Sequence, residues 1–464
     1  MAPPGLVLAT LRLQGRACTA SPPCPHHHRR NPPYSVIRIL PNSDDEMKEV
    51  MNLMKTSNVE HVEVWLPPRT PGLPVDIMVT PDKKDTIVLQ LEDTGLKWRV
   101  MIEDVQELID EQIQQQQQQQ QQVITYEENA FNYTRYNEYD EILSWIDNIA
   151  SQYSSIVTKL KLTESYEGRD IFTLKLGKVG SNKPIIFYNG GIHAREWLSP
   201  ATVIYMTKLM LDSYGTDTEM TELLDEIDWY VTPLLNPDGY VYSWTQDRLW
   251  ANTRSLDNKT GCFGVNGNLN YDIHWGEFGC KDPCATTPCY DGPNAFSEVE
   301  VKALADLILS LGSRVKVYLD IHCYSQVMVT PYLYTSDRPK DFNKQKTLAN
   351  KVVNAIKSVH GKTFLAGSAW DILPSEVPAS GLSCDWTYDV ANITYSYGIE
   401  LRDTGEYGFV IPASNIQPSG EEMVAGMKVL GHHILNSGSR SYNNSLNVWQ
   451  LVVTMLVSLV MDWF

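Results

Sequence analysis

The spacing of apolar and polar residues divides this chain into two units of different size. In the first unit, residues 34–40 alternate in polarity as an edge strand does, and residues 44–56 repeat apolar side chains at helical spacing. Further strands are predicted at 61–65 and 86–91, and a second helix at 102–111. This mixture of short elements predicts a small α/β domain.

The second unit, residues 131–437, alternates strand-like and helical stretches over a much longer span. Such alternation favours an α/β/α layered domain with a mixed sheet. Open α/β sheets place their functional residues beyond the strand ends. The predicted helices lie at 138–152, 199–213, 297–311, 344–359 and 420–434, and the predicted strands at 171–175, 185–189, 229–234, 315–321 and 393–400.

An uninterrupted run of glutamines, Gln114–Gln122, lies between the two units. We interpret residues 112–130 as a glutamine-rich linker, because a low-complexity polar run cannot bury a core. Within it, the run is either solvated or an extension of the preceding helix. No Lys or Arg occurs from Val100 to Thr134, so a trypsin-like protease has no cleavage site in this connector.

The composition indicates which binding partners are excluded and which cellular compartment is favoured. The 464 residues carry 38 basic and 56 acidic side chains, a balance that argues against a nucleic-acid partner. Eight cysteines suit an oxidising, secretory route. Four N-glycosylation signals point the same way, and they begin at Asn132, Asn258, Asn392 and Asn443.

The two ends of the chain carry different signals. Residues 1–33 form an N-terminal lead whose apolar run, 5–11, has no basic residue before it and makes a poor signal peptide. Residues 438–464 combine a small, polar spacer with an apolar tail from Leu446. That order is typical of a lipid (GPI) anchor signal, which is our interpretation. A terminal membrane helix of about 20 residues and an amphipathic packing helix are the alternatives.

Metal-binding chemistry follows two of the strand-like runs. His193 and Glu196 come after a Gly-Gly turn, at a spacing that lets an imidazole and a carboxylate bind one side of a Zn²⁺ ion. His322, at the end of the run 315–321, is the candidate third ligand. A catalytic zinc has three protein ligands and an open position for water, so one Zn²⁺ per chain is predicted. A surface pair and an ordinary sheet-edge histidine are the alternatives.

The motifs around these residues resemble the zinc carboxypeptidases of the pancreatic A/B type. The resemblance covers residues 34–436 and implies an inhibitory propeptide at 34–111 before a catalytic domain at 131–437. The tail signal is similar to that of carboxypeptidase O in the same family. The motifs, in family order, are His-Ala-Arg-Glu-Trp (193–197), Asn-Pro-Asp-Gly-Tyr (236–240), Arg-Leu-Trp (248–250), Thr-Arg-Ser (253–255), His-Cys-Tyr-Ser-Gln (322–326) and Ile-Glu-Leu-Arg-Asp-Thr-Gly (399–405).

The resemblance also implies roles for individual residues. Glu400 corresponds to the general base, which takes a proton from water and passes it to the leaving amine. A salt bridge from Glu400 to Arg402 is the structural alternative. Cys384 stands at the floor of the pocket for the terminal side chain, and its small, uncharged side chain implies a preference for neutral, apolar residues. Four residues match positions that line the substrate groove: Arg195, Arg248, Asn268 and Tyr324.

Four positions depart from the family pattern. Leu269 replaces the arginine that binds the substrate's terminal carboxylate, and Ala251 replaces the arginine that stabilises the oxyanion. Val377 replaces the tyrosine that closes over the substrate, and Asn266 stands where the family has an aspartate supporting the first zinc histidine. Loss of one oxyanion donor typically costs about 10²–10³ in rate. The amide of Asn266 can still accept a hydrogen bond, so zinc binding is expected to survive these changes. The rate of turnover is expected to be reduced.

The resemblance implies a disulfide that corresponds to Cys262–Cys284, which leaves Cys280–Cys289 as an additional bridge. The sequence alone does not fix this, because four cysteines allow three pairings. Cys323 and Cys384 are expected to be free buried thiols, with a bridge between them as the alternative.

Together these observations favour a secreted or surface-anchored zinc carboxypeptidase. It would act on peptide or protein C-termini and be inhibited by its own propeptide. A catalytically impaired relative that keeps zinc and acts as a peptide-binding protein is one alternative. A peptidase for substrates without a free terminal carboxylate is another.

Overall fold

The computed structural model describes residues 33–56, 62–68, 70–123, 131–285, 288–373 and 378–437. The predictions for the N-terminal lead and for the hydrophobic tail lie outside these residues. Within them, no helix is both long enough and apolar enough to cross a membrane.

The N-terminal domain is a four-stranded sheet covered by two helices. The strand order is β2-β3-β1-β4, and the pairs β1–β3, β1–β4 and β2–β3 are antiparallel. The predicted edge strand at 34–40 therefore lies inside the sheet, and the predicted helix at 44–56 is confirmed. The elements are β1 Ser35–Ile39, α1 Asp44–Thr56, β2 Val62–Leu66, β3 Val75–Val79, α2 Lys84–Thr94 and β4 Trp98–Ile102.

The predicted strand at 86–91 is wrong, because these residues belong to helix α2. Ile87 and Leu91 lie four residues apart, so a helix places both on the same face, where both are buried. Gly95 follows with a left-handed φ of +72°, a conformation that ends helices without strain. Helical periodicity therefore prevails over the β-branched character of the run.

The predicted helix at 102–111 is longer than expected. Helix α3, Val105–Val123, continues through the glutamine run, so this part of the connector extends the helix. The side chains of Gln112 and Gln116 are buried. One side of α3 therefore faces protein.

The large domain is built on an eight-stranded mixed sheet. Its strand order is β11-β10-β12-β9-β7-β8-β6-β5, and its central strands β12, β9, β7 and β8 are parallel. A further helix spans residues 416–437. The other elements are α4 Tyr139–Gln152, β5 Val157–Glu164, β6 Asp170–Leu176, β7 Ile185–Gly190, α5 Leu198–Asp212, α6 Thr218–Glu226, β8 Asp228–Thr232, α7 Pro237–Thr245, α8 Val299–Leu311, β9 Val315–His322, β10 Val327–Thr330, α9 Phe342–His360, β11 Leu365–Ser368, α10 Ala369–Ile372, α11 Ser383–Asp389 and β12 Tyr395–Glu400.

The predicted three-layer arrangement is confirmed by the way alternate residues of β7 pack. Ile186 and Tyr188 join a core cluster that includes the apolar residues of α4 and α5. Ile185 and Phe187 point to the other face and join a second cluster with α8. The sheet is therefore covered on both sides, and its strand ends remain available for a site.

Candidate active site

The turn after β7 determines where the first two candidate ligands lie. Gly191 has φ +67°, and a Cβ atom at this position would lie 2.6 Å from Cδ1 of Leu234. Only glycine meets both conditions without a shift of its surroundings. The chain then passes through His193 and Glu196 directly before α5 begins at Leu198.

His193, Glu196 and His322 converge at the ends of β7 and β9. One potential ligand atom from each residue lies within 4.8 Å of the others. The Glu196 carboxylate lies between the rings, with Oε1 2.8 Å from Nδ1 of His193 and Oε2 3.2 Å from Nδ1 of His322. The three side chains that the sequence singled out as metal ligands are thus brought together.

The outer nitrogens of both rings have partners of their own. Nε2 of His193 lies 2.9 Å from Oδ1 of Asn266, and Nε2 of His322 lies 3.2 Å from Oδ2 of Asp320. A neutral imidazole carries one proton, and these acceptors favour placing it on Nε2. Each Nδ1 is then left with its lone pair toward Glu196, as a metal site requires. The residues present fit a zinc ion.

The charge of Glu196 also suits a ligand. Burial favours its neutral form, but attraction to the rings of His193 and His322 in their charged, metal-free form outweighs burial and lowers the pKa of Glu196 to about 2. The carboxylate is therefore ionised at neutral pH. The backbone N–H of Cys323 also donates to its Oε2, at 3.2 Å.

Glu400 lies beside this group. It ends strand β12, where it pairs in register with His322 at the end of the adjacent parallel strand β9. Its side chain is half-buried, whereas most of β12 is buried. The predicted general base and the second histidine therefore share the same edge of the sheet.

Two of the predicted substrate residues lie on the α11 side of the site. Asn268 accepts a hydrogen bond from the backbone N–H of Ser383 at 2.9 Å, and its Nδ2 lies 3.3 Å from Nε2 of His322. The neighbouring Cys384 is a free, buried thiol whose pKa is raised by burial. It is 3.5 Å from Oδ1 of Asp385, to which it donates.

The other three substrate residues contact the N-terminal domain or α3. The guanidinium of Arg195 forms a buried ion pair with Glu63 of β2. The hydroxyl of Tyr324 donates to Asp76 of β3 at 3.0 Å. Nε of Arg248 donates to the Gln112 side chain at 2.8 Å.

Aromatic rings reinforce this contact region. Trp65 of β2 packs edge-on against Phe409, with ring centroids 5.2 Å apart. The guanidinium of Arg195 lies over the same Phe409 ring at 3.9 Å, and Tyr324 packs against that ring at 5.1 Å. Such cation–π and edge-to-face contacts typically contribute about 0.5–2 kcal/mol each. Phe409 therefore links the N-terminal domain to two predicted substrate residues.

The positions that depart from the family pattern differ in their surroundings. Ala251 is buried and lines a small pocket together with Arg195 and Glu63. Leu269 is half-buried and ends the 3₁₀ turn Gly267–Leu269. Val377 lies outside the described residues.

The cysteines pair as the resemblance implied. Cys262 bonds to Cys284 and Cys280 bonds to Cys289. Cys323 and Cys384 are both free and buried, so the alternative bridge between them is absent.

The sequence reasoning missed the groups that hold His322. Asp320 is fully buried and accepts hydrogen bonds from Nδ2 of Asn189 at 2.7 Å and from Oγ of Ser383 at 2.5 Å. A signal was present, since residues two apart in a strand share a face, and Asp320 precedes His322 by two positions. The contacts of Glu63, Asp76 and Gln112 had no comparable signal, because they join residues distant in sequence.

Two family descriptions match successive parts of this chain. The description "Carboxypeptidase activation peptide" matches residues 37–112. The description "Zinc carboxypeptidase" matches residues 142–426. The two matches together follow the division into an N-terminal and a large domain.

Similar proteins and structures agree with these matches. The chain is 38% identical to carboxypeptidase A1 of Bos taurus over 407 residues, which cover 87% of this chain and 94% of that protein. It is 42% identical to carboxypeptidase B of Astacus astacus over 310 residues, which cover 66% of this chain and 100% of that protein. The crystal structure of thrombin activatable fibrinolysis inhibitor is similar with a TM-score of 0.75 at 31% identity, covering 87% of this chain and 99% of that one.

Proposed function

Because this chain belongs to the zinc carboxypeptidase family of the A/B type, we propose that it removes neutral and apolar residues from the C-termini of peptides and proteins. Family membership carries the general activity and the zinc cofactor. The preference for neutral side chains is inferred from Cys384, which is buried and uncharged at the predicted pocket floor.

The proposed mechanism assigns zinc to His193, Glu196 and His322. A zinc ion held there would lower the pKa of a bound water toward ~7 and polarise the scissile carbonyl. Glu400 takes the proton of the attacking water and delivers it to the leaving amine. Its position at the end of β12, beside His322, supports this role.

The observation that carries this proposal is the convergence of two imidazoles and one carboxylate within 4.8 Å. Both outer ring nitrogens face acceptors and both inner ones face the same carboxylate, which is the arrangement that a metal site needs. Protonated histidines paired with Glu196 would make the same contacts, and the metal interpretation differs from them in predicting that this group binds zinc.

A peptide ladder assay tests the proposal. A specific protease site is introduced between Val123 and Phe131, and the cleaved protein is incubated with peptides ending in Leu, Lys or Glu. We expect stepwise loss of C-terminal residues, fastest for Leu, abolished by a chelator and restored by Zn²⁺. Glu400→Gln should lower kcat by about 10²–10⁴ while zinc remains bound. A C-terminally amidated peptide is the control, and its equal cleavage would contradict exopeptidase action.

We propose further that the N-terminal domain inhibits the enzyme by occupying its substrate groove. Glu63, Asp76 and Gln112 each bind a predicted substrate residue. A peptide substrate would have to displace all three. The inhibitory partner of the active site would then be part of the same chain.

A second candidate function is peptide binding with little turnover. Ala251 and Leu269 favour it, since the guanidinium groups that the family uses at these positions are absent. Under this alternative, zinc-loaded protein would bind C-terminal peptides, and the ladder assay would show no release above the Glu400→Gln background.

For localisation, we propose a secretory route with lipid anchoring at the C-terminus. Two disulfides support an oxidising compartment. Asn258 and Asn392, which begin two glycosylation signals, are exposed. Release of surface-bound protein by a phospholipase specific for GPI anchors tests the anchor, and retention after that treatment would contradict it.

A further inference from the structure

A buried carboxylate touches the outer nitrogen of the second candidate zinc ligand. We propose that Asp320 is the positioning residue of the metal centre: it holds the His322 ring and keeps the proton on Nε2, so that Nδ1 is free for the metal. In the family pattern an aspartate supports the first zinc histidine, and this chain has Asn266 there. This inference rests on the proposed ligand set.

The strand geometry places Asp320 correctly for this role. Asp320 and His322 lie two residues apart on β9, so their side chains emerge on the same face of the sheet. Oδ2 of Asp320 lies 3.2 Å from Nε2 of His322. Both side chains are almost completely buried, so water does not compete for this contact.

Two further hydrogen bonds hold the carboxylate in place. Oδ1 of Asp320 accepts from Asn189 on the adjacent strand β7, and Oδ2 accepts from Ser383 at the start of α11. These donors come from different elements, so the position of Asp320 is fixed by the sheet and by α11 together. A side chain anchored in this way can transmit a fixed orientation to the ring that it touches.

A second group approaches the same ring nitrogen. Nδ2 of Asn268 lies 3.3 Å from Nε2 of His322. The Asn268 amide is oriented by its oxygen, which accepts from the backbone of Ser383. Its NH₂ could donate only to an unprotonated Nε2, and that tautomer would carry the proton on Nδ1 and exclude a metal there. When the metal is bound, Asp320 is therefore the acceptor for Nε2–H.

The surroundings of Asn266 favour an amide over a carboxylate at the outer nitrogen of His193. Oδ1 of Asn266 faces His193, while its Nδ2 donates to the carbonyl of Pro288 at 2.7 Å. An aspartate at this position would place a second oxygen against that carbonyl. The amide is therefore fitted to its site, and among the described contacts of the two outer ring nitrogens, a carboxylate lies only at that of His322.

Zinc affinity and the spectrum of a bound metal ion test the proposal on the full chain. Asp320→Asn keeps the shape of the side chain and removes its charge. We expect its zinc dissociation constant, measured by competition with a chromogenic chelator, to rise about 10–100-fold. The visible absorption of the Co²⁺-loaded variant should shift from that of the parent, which a purely structural role would not cause. Ser383→Ala removes an anchor of Asp320 without touching His322 and should give a smaller loss in the same direction.

Asp385→Asn is the matched control. This aspartate is also buried next to Ser383, but its hydrogen bonds go to Leu333 and Cys384. Its zinc affinity and Co²⁺ spectrum should match those of the parent. Thermal unfolding of the zinc-free proteins shows whether each variant folds. If Asp320→Asn does not fold, the zinc affinity and Co²⁺ spectrum of Ser383→Ala test the inference instead.

Two results would overturn the inference, and they are distinguishable. If folded Asp320→Asn binds zinc within twofold of the parent with an unchanged Co²⁺ spectrum, Asp320 does not position the metal centre. If the parent binds no zinc, or His193→Ala binds it equally well, the ligand set itself is wrong.

Discussion

Position 251 is where we expect a single substitution to raise the catalytic rate most. Ala251 borders a small pocket beside Arg195 that Glu63 also lines, so removal of the N-terminal domain makes room there for a longer side chain. We expect Ala251→Arg to raise kcat of the cleaved enzyme by about 10²-fold, the usual contribution of one oxyanion donor. Leu269→Arg should mainly lower KM, because it restores a partner for the substrate's terminal carboxylate. Steady-state kinetics on one peptide measure both.

Ala251→Lys is the control, because lysine supplies the positive charge without the paired N–H donors of a guanidinium group. It should recover less of the rate than Ala251→Arg. If neither arginine changes kcat or KM, the site has lost more than its substrate contacts, and the peptide-binding alternative gains support.

The buried side chain of Glu300 should make the stability of the protein depend on pH, independently of the metal centre. Burial, reinforced by the nearby carboxylates of Glu298 and Asp238, raises the pKa of Glu300 to about 8. The folded protein therefore holds this proton more tightly than the unfolded chain, whose glutamate titrates near its ordinary value. The free energy of unfolding should fall as pH rises through the window between those two values and level off above pH 8.

We expect Glu300→Gln to remove this contribution. Its Oε1 still accepts from the backbone of Tyr166, as in the parent. The variant should be more stable than the parent by about 2–4 kcal/mol at pH 9 and nearly equal to it at pH 4.5. Urea unfolding at a series of pH values measures the difference. A constant difference across that range would contradict the assignment.

The sequence predicted the site residues that lie close together in short motifs. His193 and Glu196 share one turn, and His322 ends a strand with a clear apolar pattern. Asp320 lies two positions before His322 and so on the same strand face, but it was missed because a single acidic residue in an apolar strand matches no motif. Its role depends on Ser383, which is 63 residues away.

The helices and strands were also predicted best where the local sequence pattern is strong. Strands and helices with strong periodicity, such as β9 and α8, were predicted nearly to their ends. The strand prediction for α2 rested on three β-branched residues in a row, Thr86–Val88, which outweighed the helical spacing of Ile87 and Leu91. Strands β3, β4, β5, β10 and β11 were not predicted. β10 and β11 have four residues each, too few to establish a period.

Glu63 of strand β2 forms the ion pair whose removal tests whether the N-terminal domain inhibits the enzyme. Arg195 and Glu63 have only 5% and 11% of their side chains exposed, so removal of one charge leaves the other buried and unpaired. We expect Glu63→Gln to weaken docking of the N-terminal domain and to raise the basal peptidase rate of the uncleaved protein at least tenfold, a ratio that corresponds to about 1.4 kcal/mol.

Glu103→Gln is the matched control, since this glutamate is 75% exposed and pairs with Lys84 inside the N-terminal domain. Its basal rate should equal that of the parent. Equal basal rates for Glu63→Gln and Glu103→Gln would show that the buried pair does not maintain inhibition.

At the scale of the whole molecule, activation depends on how the two domains are separated. The family pattern predicted both domains and their order, but not the residues that join them. Such contacts depend on the relative placement of two folded surfaces, which no local pattern encodes. Gln112 illustrates this, because it lies at the edge of a low-complexity run and yet bridges Arg248 and the carbonyl of Ile411.

The connector between the domains determines which protease can activate the protein. The basic residues that flank it are Arg99 and Arg135. Arg99 lies within β4, paired in register with Arg38. The guanidinium of Arg135 is buried against Glu141 and the carbonyl of Tyr136. The side chain of Arg99 is exposed, so its protection depends on the pairing of its backbone in β4, whereas Arg135 is protected by burial. Cleavage at either residue therefore requires local unfolding.

We therefore expect a limiting dose of trypsin to leave the parent uncut from residue 100 to 134, with no gain in peptidase activity. Chymotrypsin, which cleaves after aromatic residues, should cut after Tyr126 and activate the protein. Tyr126→Lys reverses this preference at one position, because it adds a basic residue to the connector. Mass spectrometry of the fragments and the ladder assay follow cleavage and activation together. Activation of the parent and of Tyr126→Lys by the same trypsin dose would show that Arg99 or Arg135 is accessible, and that the packing around them does not protect the connector.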